Sequence, residues 1–333
     1  MTDQTEVKFL KKGEKIEQYF LLLNWELKTS RNGKDYLDVM LGDKSGSISG
    51  KMWEITEFRD LTGSAVVKVR GLVEDFQGSP QIKIDRIRPA EESDGINADD
   101  FLPRSVRNFD EMKNEFDERI DNIKNWFLKK LLQSVFTEEA FGKYSRVPAG
   151  KSWHHAYING LLEHTLEIIK ICELMCTFHP EINRDILVSG AMLHDFGKIY
   201  ELSPDAGFEY TEEGKFLGHI AIAAMEVNGK IKAIEGFPEL LRNQLLHLIL
   251  SHQGKLEFAS PVEPKTLEAI VLYQADELSA KTNAYKYAMI RESNSQSGWT
   301  KFLPLANNTL YVSENLKEKD EPEKDKDPET LFG

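Results

Sequence analysis

Hydrophobic and polar positions follow two different rules along the 333 residues. From about Lys15 to Pro89, short runs rich in Val, Ile, Tyr and Trp are separated by turn residues, the pattern of strands. The predicted strands are Ile16–Lys28, Tyr36–Gly42, Ser47–Trp53, Ala65–Phe76 and Gln81–Arg88, with a helix-like patch at Ile55–Leu61. Between them stand Arg31-Asn32-Gly33, Asp43-Lys44-Ser45-Gly46 and Gln77-Gly78-Ser79-Pro80, each with a Gly or Asn able to take the positive φ of a tight turn. Five short strands in so short a segment predict a closed barrel, which leaves no exposed edge. Beyond Pro103 the period becomes 3.6, and Phe109–Leu132, Asn159–Phe178, Arg184–Leu193, Gly214–Ile234, Pro238–Ser251 and Lys265–Met289 are predicted helices. No repeat of fixed period is visible. The expected architecture is a multidomain α and β chain. It has a five-stranded barrel over 1–90, a linker at 91–104 within the polar stretch Pro89–Pro103, an all-helical domain over 105–310, and a charged, disordered tail at 311–333.

Charge alters the picture only when it is divided along the chain. The total of 55 acidic against 42 basic residues, a net −13, speaks against a polyanionic partner. Yet residues 1–90 carry +1, residues 91–125 carry −6, residues 126–310 carry −4 and residues 311–333 carry −4. The barrel is therefore nearly neutral, and nucleic acid stays open as a partner with weak nonspecific binding. No run of apolar residues is long enough for a membrane span, and Met1–Lys12 lacks the apolar core of a secretory signal, so a cytoplasmic protein without membrane contact is expected. The two cysteines, Cys172 and Cys176, share one helix face and read as core thiols rather than a disulfide or a zinc site.

The chemistry concentrates in the helical part. All eight histidines lie between positions 154 and 252. His164 interrupts the apolar stripe Leu161, Leu162, Leu166, Ile168, Ile169; His194-Asp195 ends the stripe Leu187, Val188, Ala191, Met192, Leu193; Asp276 sits in the apolar run Ala269–Ala275. A carboxylate buried without a partner costs several kcal/mol, and a metal ion is one such partner. The order His164, His194-Asp195, Asp276 resembles the HD-domain family of metal-dependent phosphohydrolases, whose binuclear members would add His219 and His252. That resemblance implies Asp195 shared by two ions, with His164, His194 and Asp276 on one and His219 and His252 on the other. A helix-end histidine bonded to a carbonyl is the plainer alternative for His219 and His252. Mixed imidazole and carboxylate ligation suits Mn²⁺, Co²⁺, Fe²⁺, Ni²⁺ or Zn²⁺. Two ions would activate a water for attack on a phosphodiester, with Asp195 central and Lys198 able to neutralise a phosphate oxygen. His179 and His247 are expected to be surface or structural residues.

The strand-rich segment, with its long first strand and hairpin, resembles an OB-fold, which implies single-stranded oligonucleotide binding on the strand 2–3 face. Tyr36 and Trp53 are the candidate stacking residues there, with Lys34, Lys44 and Lys51 able to reach phosphates; in the competing view Trp53 and Phe76 plug the barrel. The stretch Trp153-His154-His155-Ala156-Tyr157-Ile158-Asn159-Gly160-Leu161-Leu162-Glu163-His164-Thr165, the later Glu257-Phe258-Ala259-Ser260-Pro261-Val262, and Asp276 followed by Ala280-Lys281 resemble the YhaM-type 3′→5′ exoribonucleases over roughly residues 10–305. The resemblance implies an OB-fold ahead of an HD domain, and stepwise release of nucleoside monophosphates from the 3′ end of single-stranded RNA, often of single-stranded DNA as well. It implies Mn²⁺ or a similar ion as cofactor, and places His154 or His155 and Lys281 at the substrate pocket. Gln253 is a departure, since related sequences can carry a second histidine there. Two competing functions are a nucleotide or cyclic-nucleotide phosphohydrolase and a non-catalytic RNA-binding adaptor. The bulky faces of Phe109–Phe136 could serve either the core or a homo-oligomer.

Overall fold

The length of the first strand determines how the barrel closes. In a computed structural model, described for residues 4–30, 32–55, 60–76, 78–150, 154–203, 208–291, 297–304 and 306–317, β1 (Lys15–Thr29) serves two neighbours. Its first half, Lys15–Leu21, pairs with β4 (Val66–Phe76); from Leu21 onward it pairs with β2 (Asp35–Asp43), with a register shift between Leu22 and Asn24. Such a bulge bends a strand and lets one element belong to both sides of a barrel. With β3 (Gly46–Met52) and β5 (Ser79–Pro89) the order is β1-β2-β3-β5-β4, closed, and only β3–β5 is parallel. This is the five-stranded OB-fold barrel. Phe20, Leu37, Leu41, Met52 and Ile82 fill its interior. Trp53 and Phe76 do not plug it, being 47% and 52% exposed. Most of the predicted patch Ile55–Leu61, together with Arg31, Gln77 and Trp153, lies outside the described residues.

The segment expected to be a plain linker is built into both bodies. Arg88 grips Asp94 through two hydrogen bonds of 2.7 and 2.8 Å, and Glu91 and Asp94 form a capping box on a short 3₁₀ turn. Phe101, 5% exposed, packs with Tyr19, Leu21 and Val66 of the barrel. Two residues earlier, both oxygens of Asp99 accept from Arg146 at 2.6 Å, a bidentate pair with a helix of the second body.

That second body is helical. Its elements are α1 (Phe109–Asp121), α2 (Trp126–Val135), α3 (Glu138–Arg146), α4 (Gly160–Phe178), α5 (Arg184–Leu193), α6 (Lys198–Glu201), α7 (Glu212–Lys232), α8 (Glu239–Ser251), α9 (Leu267–Arg291) and α10 (Glu314–Lys317). The predicted helix Phe109–Leu132 is in fact two. Asn125 caps α2 by accepting from the Leu128 N–H, and Asp185, some 60 residues away, accepts from the N–H groups of Lys124 and Asn125 at 2.9 and 2.7 Å. The apolar faces of both halves, Met112, Phe116, Ile120, Leu128, Leu131 and Leu132, enter one core, so burial within the chain accounts for them. The first half of α4 is buried on nearly every side, as is all of α5 from Ile186 onward, and both lie at the centre. Cys172 is buried there as a free thiol, and Cys176 is half-buried and free. The tail is ordered further than expected: Val312 is 1% exposed and α10 follows it, while residues from 318 onward are outside the description. Among the described residues no helix is long and apolar enough to cross a membrane.

Candidate active site

Each candidate ligand comes from a different part of the helical body, which is why local sequence shows only fragments of the site. His164 stands in the buried half of α4, His194-Asp195 directly after α5, His219 in α7, His252 directly after α8 and Asp276 in α9. Asp195 is at the centre. Its Oδ2 lies 3.3 Å from His194 Nε2, and its Oδ1 lies 3.3 Å from His219 Nε2 and 3.6 Å from His252 Nε2. His164 Nε2 is 3.0 Å from Asp276 Oδ1. Two triads result, His164–His194–Asp195 and Asp195–His219–His252, each with ligand atoms within 4.8 Å of one another.

Backbone features bring these groups together. A Cβ on Gly197 would lie 2.0 Å from the His219 carbonyl oxygen and 2.8 Å from the Ala223 nitrogen, so glycine is what admits α7 against the turn after Asp195. Inside α7, Gly218 takes φ 70 and ψ 154, a region essentially reserved to glycine. The His219 N–H, released from the helical ladder, donates to Glu201 Oε1 at 3.0 Å.

Every imidazole in the cluster is oriented through its other nitrogen. His194 Nδ1 donates to the Ala191 carbonyl at 2.7 Å and His252 Nδ1 to the Ile249 carbonyl at 2.7 Å. The same Glu201 oxygen lies 3.1 Å from His219 Nδ1. Ser279 donates to Glu167 at 2.7 Å and so accepts from His164 Nδ1 at 3.0 Å. All four rings thus turn an Nε2 lone pair inward, the outer-shell arrangement that fixes metal-ligating histidines. The expected carbonyl-bonded histidine and the inward-facing histidine prove to be the same residue at His252, by its two different nitrogens.

The inward atoms suit a cation. His194 Nε2, His219 Nε2 and Asp195 Oδ1 are buried without a hydrogen-bond partner, an arrangement that is costly unless a positive ion fills it. Bonds of about 2.1 Å to one ion place neighbouring ligand atoms roughly 3.0–3.4 Å apart, close to the separations just given. Burial, with His155 and His194 adding repulsion, pushes the His164 pKa well below the ordinary value, and burial with His194 brings His252 down to about 4. Both rings are therefore neutral and able to ligate at neutral pH. Burial would lower His194 too, but Asp195 outweighs it and the pKa is raised. Burial would raise Asp195, yet Lys198, His194 and His219 hold it well below the usual carboxylate range. The donor set, imidazoles with carboxylates, fits a divalent transition metal.

A cavity of about 450 Å³ opens beside the cluster, lined by His154, Asp195, Lys198, His252, Gln253, Phe258, Tyr273, Asp276, Glu277, Ala280 and Lys281. Lys198, 7% exposed, donates to Asp195 Oδ2 at 2.6 Å and to the Ala149 carbonyl, leaving one ammonium proton beyond these two bonds. Lys281 is paired with Glu277 at 2.5 Å. His155 does not border the cavity. It is fully buried with φ 43, its N–H donates to Asn283 Oδ1 at 2.8 Å, and its Nε2 is 3.4 Å from Glu167. Only His154 of that pair reaches the lining. His247 accepts from the Lys265 N–H at 2.9 Å and His179 sits 3.5 Å from Glu181 at the surface. Sequence reasoning missed Glu201, Glu167 and Ser279; for Glu167 and Ser279 the available signal was a polar side chain in a largely buried helix, as with Asp276.

On the barrel, Tyr36 and Trp53 stack with centroids 4.7 Å apart at 27°. Lys51 Nζ stands 5.5, 5.6 and 5.5 Å from the rings of Tyr36, Trp53 and Phe76. Lys44 is not part of this platform and pairs with Glu6 at 3.1 Å.

A helical body that gathers His, His-Asp and Asp from separate helices in this order defines the HD class, and the HD domain family model matches residues 161–281. Relatives of this chain carry the name 3′-5′ exoribonuclease YhaM. Those of Bacillus subtilis (strain 168), Bacillus velezensis and Listeria innocua are 34%, 35% and 33% identical over 282, 271 and 275 residues. The alignments cover 84%, 81% and 81% of this chain and 89%, 86% and 87% of theirs. The chain belongs to the YhaM exoribonuclease family. Among solved structures, the second OB-fold domain of replication protein A from Methanococcus maripaludis is 20% identical, covering 26% of this chain and 94% of that one, with a TM-score of 0.22.

Proposed function

We propose that this chain is a cytoplasmic, metal-dependent 3′→5′ exoribonuclease that releases nucleoside monophosphates from single-stranded RNA and accepts single-stranded DNA as well. The observation that carries the reading is Asp195, a buried carboxylate shared by two histidine triads in which its own Oδ1, His194 Nε2 and His219 Nε2 lack hydrogen-bond partners. His164, His194 and Asp276 would hold one divalent ion and His219 and His252 a second, with Asp195 common to both and manganese the ion expected. Such ions, when bound, lower the pKa of a water and stabilise the charge of a phosphodiester under attack. Asp195 is oriented by Lys198, whose remaining proton can meet a phosphate oxygen. His154 and Lys281 border the cavity where the strand end would lie. The functional units are the barrel, residues 1–90, and the helical domain, residues 105–310. The barrel's Tyr36, Trp53 and Lys51 would hold the strand by stacking and charge.

The test compares wild type with Asp195→Ala for metal content and for degradation of a 3′-tailed RNA with added Mn²⁺. Wild type should shorten a 5′-labelled strand one nucleotide at a time and free the label of a 3′-labelled strand as monophosphate. The variant should lose metal and about a thousandfold or more in rate, since metal catalysis is worth several kcal/mol. Undiminished degradation by the variant would sink the mechanism, and turnover of free nucleotides without shortening of RNA would favour the phosphohydrolase alternative.

A further inference from the structure

We infer that Tyr273 and Phe258 form the seat of the 3′-terminal nucleobase, so that the strand end is located by stacking as well as by the metal cluster; this rests on the exonuclease reading above. Tyr273, Asp276, Glu277, Ala280 and Lys281 all line the cavity and follow the spacing of one face of α9. Along that face the candidate ligand Asp276 lies in the middle. Tyr273 stands about one turn, roughly 5 Å, toward the helix N-terminus. The small Ala280 and the cation Lys281 stand about one turn the other way. The cavity is thus asymmetric along α9, aromatic on one side of the reacting position and lined by a small residue and a cation on the other.

The aromatic side is built rigidly. A Cβ on Gly254 would fall 2.2–2.4 Å from ring atoms of Tyr273, and Gly254 has φ +78, so the turn that follows His252 lies directly on that ring. Phe258 projects from the same loop and is 49% exposed at the cavity, with Lys255 Nζ 5.4 Å from its centroid. The loop is pinned beyond it: Ala259 takes φ 65, and the buried Ser260 hydroxyl reaches the carbonyls of Leu250 and Val262 at 3.1 and 2.8 Å. Phe258 has no polar side-chain atom with which to serve proton or phosphate chemistry, and what it shares with Tyr273 is an apolar ring face. Their surfaces match a flat, weakly polar partner, which in a nucleotide is the base. About 450 Å³ lies in the lower part of the range of small-molecule sites, room for one nucleotide. The strand upstream would leave past Ala280 and Lys281.

The experiment measures single-turnover release of the first nucleotide by the full, Mn²⁺-loaded chain from three RNAs. One is unmodified, one has an abasic ribose at the 3′ terminus, and one has it at the penultimate position. Wild type should process the unmodified end about 5- to 100-fold more efficiently than the terminal abasic one, and the penultimate abasic strand as well as the unmodified one. Phe258→Ala and Tyr273→Ala should lose a similar factor on unmodified RNA, little on the terminal abasic RNA, and no metal. Equal release from all three RNAs by wild type, or an equal loss by the variants on normal and abasic ends, would overturn the inference while leaving the exonuclease reading intact. Release of nothing from any of the three would overturn that reading and this one with it. Because the abasic strand deletes the contact from the RNA side, wild type alone decides the matter if a variant fails to fold.

Discussion

The barrel and the helical body use the same kinds of side chain under opposite conditions. On the barrel, Trp53 and Phe76 are about half exposed and Lys51 rests over three rings. In the helical body, His164, His194 and His252 are wholly buried, and each ring is fixed by a bond at Nδ1. Exposure suits a platform whose partner must come and go and whose bases vary. Burial suits groups that must keep one tautomer and one orientation through every turnover. The contrast teaches where substitutions should act: on affinity for the strand at the barrel, on metal retention and rate in the helices.

Three measurements can break or sharpen that division. The largest effect is expected from Glu201→Ala, which removes the acceptor for the backbone N–H and the ring Nδ1 of His219. Metal affinity should fall about 10- to 100-fold, read by metal titration of the purified protein, with RNA binding by the barrel unchanged; full affinity in the variant would deny Glu201 any positioning role. Next comes Trp53→Ala, which should raise KM for single-stranded RNA about tenfold while kcat and metal content stay as in wild type. A fall in kcat instead would mean that the platform takes part in the chemistry. The smallest effect is in stability against pH. Burial holds His252 at about 4 against an ordinary 6.5. As pH falls through 6.5 the unfolded chain takes up that proton first, so stability is full above 6.5 and is lost toward 4. The loss is at most about 1.4 kcal/mol per pH unit for each such histidine. Residues 1–90 contain no histidine. Denaturant unfolding of metal-free protein between pH 7 and 5 should therefore shift the helical transition and spare the β signal, and equal shifts in both would contradict the assignment.

How much of this was legible in the sequence follows from the same contrast. The strands were readable because alternation and Gly- or Asn-bearing turns are local signals, and the ends found differ from those expected by no more than two residues. His164, Asp195 and Asp276 stood out because a polar residue in an apolar run is visible without a fold. Glu201 was not visible in this way: it is an ordinary glutamate in a four-residue helix until α7 closes over it. The break between α1 and α2 was hidden for a similar reason, since the group that satisfies it, Asp185, is distant in sequence. His155 stays off the cavity lining although its ring lies beside those of His154 and His164, because its left-handed backbone and its N–H bond to Asn283 keep the side chain wholly buried. The connector looked like a linker by composition, and its order comes from two partners, Arg146 and the barrel surface beneath Phe101.

Gly218 shows what this arrangement asks of the protein as a whole. A helix interrupted by one residue at φ 70 forgoes regular hydrogen bonds and the rigidity that an alanine would supply. Selection for heat resistance alone would straighten α7, and the same change would draw the His219 amide back into the helix and away from Glu201. The glycine therefore marks a point where robustness and turnover pull in opposite directions, and a thermostabilised version of this enzyme would have to gain its stability elsewhere.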